Sequence, residues 1–425
     1  MATRTFIGGA AATAQVTDWV FGGTWEATDV INVTIGTRTI SVVAGSTTIT
    51  AIVDTVFAAL NLSELPEFAE ITWSRSSNSL RGTADTAGVP FAATVATTET
   101  GGGAADSQTI DGSATSGGTN STACTGPYHA DNAQNWSGAT LPVNSDTIVF
   151  ADSDVGCLYG LTSLSALTGI VLKQYMSYTG DLGLPPYNAA GGYAEYRQRY
   201  LQLTGGTAEL GIGEGRGSSR FMVDFQGTAF TILTYNSGQA GPGEEVATFI
   251  KGTHASNVLT VNKGRVGLAA YPGEASALAT LNIGFTTDVF GDAFVICGAD
   301  VTALTTIVQS GGYGRSETNS TTLTMTSGEH VRRGTSTLTT LNLDGGAVRY
   351  NSSGTITTAN VGSQGNLDFR QDARTRTITT LNLYEEFEYH DPAGKVTVTN
   401  GHKANRCTPV QGIWDVATDK TWTMS

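Results

Sequence analysis

The chain has 425 residues, of which 53 are glycine and only 14% are charged, and it carries a net charge of −14. That length admits two or three domains or one long solenoid. The acidic balance, with no Lys/Arg cluster interleaved with aromatics, excludes a phosphate-binding surface and with it DNA or RNA as a partner.

Low charge with abundant Gly, Thr, Ser, Ala and Val suits many short strands joined by tight turns. The first residues, MATRTFIGGAAATAQV, lack the charged start and apolar core of a signal peptide. No run reaches the roughly eighteen apolar residues of a spanning helix. The expectation is a soluble protein made in the cytosol, with no membrane insertion. Cys124, Cys157, Cys297 and Cys407 are widely spaced with no CxxC pair, which predicts reduced, mostly buried thiols.

Residues 1–100 read as a small α+β domain. DVINVTIGTRTISVV (29–43) alternates apolar and polar residues around a Gly-Thr turn, as a hairpin does. In 48–61 the period changes: Ile52, Val53, Val56, Ala59 and Leu60 share one helical face. Strand spacing resumes after Pro66. Residues 101–127 are rich in Gly, Ser and Thr, with no apolar cluster beyond Ile110 in 100–122, and read as a linker. From 128 a second unit begins, in which NWSGATLPVNSDTIVFADS (135–153) suggests a first coil with a covered end.

The unit at 128–401 carries a degenerate pentapeptide: ATLNI (279–283), TTIVQ (305–309), TTLTM (321–325), TTLNL (339–343), TTANV (357–361) and TTLNL (379–383). Its second position is Thr280, Thr306, Thr322, Thr340, Thr358 and Thr380, at steps of 26, 16, 18, 18 and 22. One strand per period near twenty predicts stacked rungs, with Leu341 and Leu343 inside and Thr340 and Asn342 outside. A second strand follows each pentapeptide, at 311–315, 345–349, 365–369 and 385–389. The fold predicted is mainly β: an N-terminal α+β domain, a linker, then a right-handed parallel β-helix, with 402–425 as a C-terminal strand or cap. The competing layout, two packed antiparallel sheets, predicts no such fixed registers.

Chemistry is sparse. Asp344, Asp368 and Asp372 lie on rungs near Glu385, Glu386, Glu388, His390 and Asp391. A pair drawn from Asp344, Asp368, Glu386 and Asp391 could serve glycoside hydrolysis, which needs an acid and a base or nucleophile at a set separation. The plainer reading is a solvated rung edge. GIGEGRGSSR (211–220) superficially resembles a phosphate loop but precedes a strand, not a helix, so its glycines read as rung corners. His129, His254, His330, His390 and His402 show no metal-ligand spacing, and neither a cofactor nor a metal is expected. No G-x-S-x-G marks a serine nucleophile. PPYNAAGGYAEYRQRY (185–200) reads either as a corner loop packed on the rod or as a partner-contact patch of Tyr187, Tyr193, Tyr196, Arg197 and Tyr200, residue types that anchor interfaces.

The segments at 66–95, 135–150, 199–220, 249–274 and 377–401, above all KGTHASNVL and TLNL…DPAG…VTVTNG, resemble uncharacterised β-helical structural proteins of tailed bacteriophages. The resemblance spans most of residues 1–401 and implies a virion component: a docking domain, a linker, then a β-helical shaft. It implies a capsid decoration protein, head fibre or tail-associated fibre, non-enzymatic, with the major capsid protein or tail components as partners. Virion appendages of this kind often associate as homotrimers. The alternatives are a tailspike that binds or hydrolyses host surface polysaccharide and a glycan-binding adhesin.

Overall fold

A computed structural model describes residues 2–101, 107–284, 293–362, 364–384, 386–403 and 413–416. Among these residues the chain is mainly β and is dominated by two parallel sheets of 13 and 11 strands. From Gly206 onward, strands fall alternately in the larger sheet (206–212, 230–234, 258–261 and so on to 396–403) and the smaller (221–224, 248–251, 264–268 and so on to 413–416). Parallel neighbours need a crossover, and here each crossover is the strand of the other sheet. The second strands predicted after the pentapeptides are these: Tyr313–Ser316, Gly346–Ser352, Gly365–Asp368 and Glu388–Asp391. A short third pairing, Ser276–Ala277 with Val301–Thr302, adds to two rungs.

The pairing register of the threonine column holds throughout the larger sheet, with Val171, Val258 and Asn400 standing in for threonine. Thr280 pairs with Thr306, then Thr322, Thr340, Thr358, Thr380 and finally Asn400. The same column runs back through Val258, Thr231, Thr207, Val171 and Thr147 to Thr3. Alternation does the rest. Leu341 and Leu343 are fully buried while Thr340 and Asn342 stay half-exposed. Two residues on from the threonines a side-chain ladder forms: Asn382 Nδ2 donates to Asn360 Oδ1 at 2.7 Å, and Asn360 Nδ2 to Asn342 Oδ1 at 2.8 Å. One apolar cluster extends from Phe6 to Val396, each large aliphatic chain in it contributing about 1.5–3 kcal/mol.

Polar side chains interrupt that core near its middle. His330 accepts at Nε2 from Ser316 Oγ (2.8 Å) and donates from Nδ1 to Gln309 Oε1 (2.9 Å). Gly314 leaves room for its ring, since a Cβ there would lie 2.5 Å from His330 Nδ1. Arg332, fully buried, donates to Ser316 Oγ, Ser320 Oγ and the carbonyls of Thr318 and Thr337 at 2.9–3.0 Å. Burial lowers the arginine to about 10, and burial with the Arg332 charge lowers His330 to about 3.

The N-terminal region departs from expectation. Thr3–Thr5 is an outer strand of the larger sheet, parallel to Thr147–Phe150, and Phe6 packs on Trp136 and Phe150 at 5.3 and 5.7 Å. The small domain is therefore an insertion after the first strand. It has its own core, with two antiparallel sheets and the helix Ile49–Asn61, which buries Ile52, Val53, Val56 and Leu60 as its spacing predicts. Chain entry and exit lie side by side, Thr13 N–H donating to the Thr125 carbonyl at 2.8 Å. The stretch expected as a linker is built into this domain. Thr119–Thr122 and Thr109–Ile110 pair with Val16–Gly22, and Thr115–Ser116 pairs with Ala93–Thr98. Backbone pairing needs no apolar composition, and Ile110 is fully buried. At the other end, 402–403 complete a strand of the larger sheet and Ile413–Val416 joins the smaller one. Cys407 and TWTMS (421–425) lie outside the described residues.

Candidate functional site

The tyrosine-rich segment is where the inserted domain meets the sheets. Its local structure is a short hairpin, Tyr187–Asn188 against Tyr193–Ala194. Tyr193 donates its hydroxyl to Glu70 of the inserted domain and accepts from Asn188 Nδ2 (2.9 Å) and an Arg197 Nη2 (2.6 Å). Arg197 also holds Glu195 through two bonds, at 2.8 and 3.1 Å, and reaches the Pro90 carbonyl of the inserted domain at 3.2 Å. Its guanidinium lies 4.9 Å from the Tyr196 ring centre, in cation–π range. Burial opposes that charge, but the Glu195 hydrogen bond together with the charges of Glu195, Tyr196 and Tyr193 outweighs it and raises Arg197 above its usual value. Tyr196 rests on Gly36, where a Cβ would come within 2.7 Å of the tyrosine Cβ and φ is +57°; only glycine serves both demands.

Of the five residues expected as a partner patch, Tyr193, Tyr196 and Arg197 thus serve an interface within the chain. Tyr200 is buried against Met222, Val246, Phe249 and Ile296, its hydroxyl donating to Glu274 at 2.6 Å. Tyr187 remains 54% exposed. The pattern of interface anchors was legible, but the partner is residues 36–90 of the same chain. Glu70, Pro90 and Gly36 carry no sequence signal for this role. Beside the interface a cavity of about 340 Å³ is lined by Glu70, Asp85, Val89, Phe91, Asn188 and Gly191.

The acidic candidates do not converge. Asp368 and His390 are register partners in the smaller sheet, and His390 lies 3.5 Å from both Glu388 and Asp415. Asp391, next to His390 and so on the opposite face, is buried and accepts the N–H groups of Lys395 and Val396 at 2.8 and 2.9 Å, capping a turn. Asp368 is held by Arg370 at 2.9 and 3.0 Å; burial raises its pKa, but the Arg370 bonds outweigh this and lower it. Asp372 is likewise paired with Arg374, at 2.6 Å. Asp344 is exposed after Leu343, and Glu386 sits in an exposed turn at φ +59°. Glu385 lies outside the described residues. GIGEGRGSSR leads into the strand Phe221–Asp224, as read from the sequence.

Fold and site together define a mainly β protein with two long parallel sheets and a small domain inserted after the first strand and clamped back by a Tyr/Arg hairpin. Comparison with family models, curated proteins and solved structures finds no match to this chain.

Proposed function

We propose that the protein is a non-enzymatic structural component of a tailed-phage particle, a capsid decoration protein or head fibre. In this reading the two parallel sheets close into a right-handed β-helical rod, and the inserted domain docks the rod to a capsid or tail protein. The observation that carries it is the single register running from Thr3 to Asn400 through every strand of the larger sheet. Such a ladder makes a stiff, flat, polar face, and a clamped domain at one end gives the rod an attachment point. The structural engagement of Asp368 and Asp391 favours the shaft over the polysaccharide-cleaving alternative. The resemblance supplies the particle.

Imaging of intact particles with and without the protein tests this. A rod-shaped density, threefold-associated and rooted by its inserted domain, is the expected difference. Particles in which the protein is not found would sink the proposal. Incubation with host surface polysaccharide is expected to leave reducing ends unchanged, and their release would replace the structural reading with the tailspike one.

A further inference from the structure

Where the inserted domain rejoins the sheets, CTGPYHAD (124–131) folds three reactive groups together. Cys124 Sγ lies 3.7 Å from His129 Nε2, and His129 Nδ1 lies 3.3 Å from Asp131 Oδ1. Nε2 also faces the Gly88 carbonyl at 3.0 Å. A carbonyl and a carboxylate can only accept, so both ring nitrogens carry hydrogens and the imidazole is held as its cation. The ring is 3% exposed and packs on Tyr159 at 5.3 Å, whereas Cys124 is partly exposed. Gly160 admits the Asp131 carboxylate, since a Cβ there would lie 2.4 Å from Oδ1. Nucleophile, imidazolium and orienting carboxylate, each within reach of the next, form the arrangement that stabilises a thiolate beside a cation.

We propose that Cys124 is a nucleophilic thiol, activated by His129 and oriented through Asp131, that reacts with small disulfides by thiol–disulfide exchange. Cys124, as the thiolate paired with the His129 imidazolium, attacks one sulfur of RS–SR and a new S–S bond forms. The old S–S bond breaks, and the departing RS⁻ takes the Nε2 proton of His129 to leave as RSH. The disulfide is the co-reactant, and no other oxidant is needed.

The surroundings agree. Burial alone would lower His129, but its bonds to Asp131, Cys124 and Gly88 prevail and raise it to about 9. The groups facing it are Asp131, Cys124 and Tyr159, with Arg197, Glu195 and Glu70 acting behind the Tyr159 ring. Cys157 and Cys297 are fully buried, and burial pushes both thiols up, Cys297 to about 12, so neither competes.

The test uses the full chain carrying Cys407→Ser, treated with 5,5′-dithiobis(2-nitrobenzoic acid), with the modified cysteine assigned by peptide mass mapping. At pH 6 Cys124 is expected to react about tenfold or more faster than glutathione, with little change in rate up to pH 8. His129→Gln should slow the reaction to that of an ordinary thiol and restore a rate rising through about pH 8.5. Asp131→Asn, on an exposed side chain, should lower the rate in part and covers the case in which His129→Gln fails to fold. A Cys124 that matches glutathione in rate and pH profile, or that is indifferent to both substitutions, overturns the proposal.

Discussion

Replacing Phe6 with alanine tests the chain organisation on which the attachment reading rests. The Phe6 ring is fully buried between Trp136 and Phe150, and its strand covers the open edge of Thr147–Phe150. Truncating such a ring costs about 3–5 kcal/mol. Each strand of the larger sheet pairs only with its two neighbours, so the loss should stay at this end and be diluted in a global melting curve. Hydrogen exchange reads it directly. Amides of 147–150 and 171–175 should lose about two orders of magnitude or more of protection, at tenfold per 1.4 kcal/mol. Those of 338–343, far along the sheet, should hold theirs. The inserted domain has a separate core, so Val30–Ile35 should change little. Loss of protection at 30–35 with 147–150 untouched would refute the reasoning and restore residues 1–100 as one free-standing domain.

Leu341→Ala empties a fully buried site and should cost about 2–5 kcal/mol, whereas Thr340→Ala on the outer column should cost under about 1; denaturant titration of the two variants compares them. Asn360→Ala breaks the ladder on both sides, at Asn342 and Asn382, and should cost about 1–2 kcal/mol, visible as faster exchange in the three strands. Arg197→Ala leaves Glu195 buried without its cation and should cost about 3–5 kcal/mol; limited proteolysis should then cut near 10–13 or 122–127 while circular dichroism stays β-rich. His330, lowered to about 3 when folded against an ordinary 6.5, is neutral in the native chain, so the unfolded chain binds the extra proton. Its contribution is present above pH 6.5 and is lost as pH falls towards 3, at up to about 1.4 kcal/mol per pH unit. A stability that does not fall across that window would contradict the buried position of the ring.

The sheet was legible because its signal is local and repeated. Thr340, Leu341, Asn342 and Leu343 declare a face each, and six copies fix the register. The same column at Val171 and Val258 lost the threonine and kept only β-branching, so the earlier rungs were visible as strands but not as members of the ladder. Thr3–Thr5 could not be placed at all: three residues pair across 144 positions, and the intervening domain hides the relation. Composition misled at 101–127, where Gly, Ser and Thr supply strands through their backbones alone. The thiol cluster escaped for a different reason. Cys124, His129 and Asp131 follow neither CxxC nor HxxxH spacing, and their fourth partner, the Gly88 carbonyl, comes from a turn of the inserted domain.

That carbonyl bears on how the inserted domain is held. The domain enters and leaves at Thr13 and Thr125, a single double-stranded stalk that by itself would permit rotation. Two further ties fix its orientation: Arg197 and Tyr193 grip Pro90 and Glu70, and His129 grips Gly88. Both grips fall on the stretch 70–90, and the turn between Val30–Ile35 and Arg38–Val43 adds a third contact where Gly36 meets Tyr196. An attachment domain joined by a flexible linker would search for its partner. One clamped in this way presents a fixed surface at a fixed angle to the sheets; under the proposed function, the direction of the rod on its support would then be set within the chain before docking.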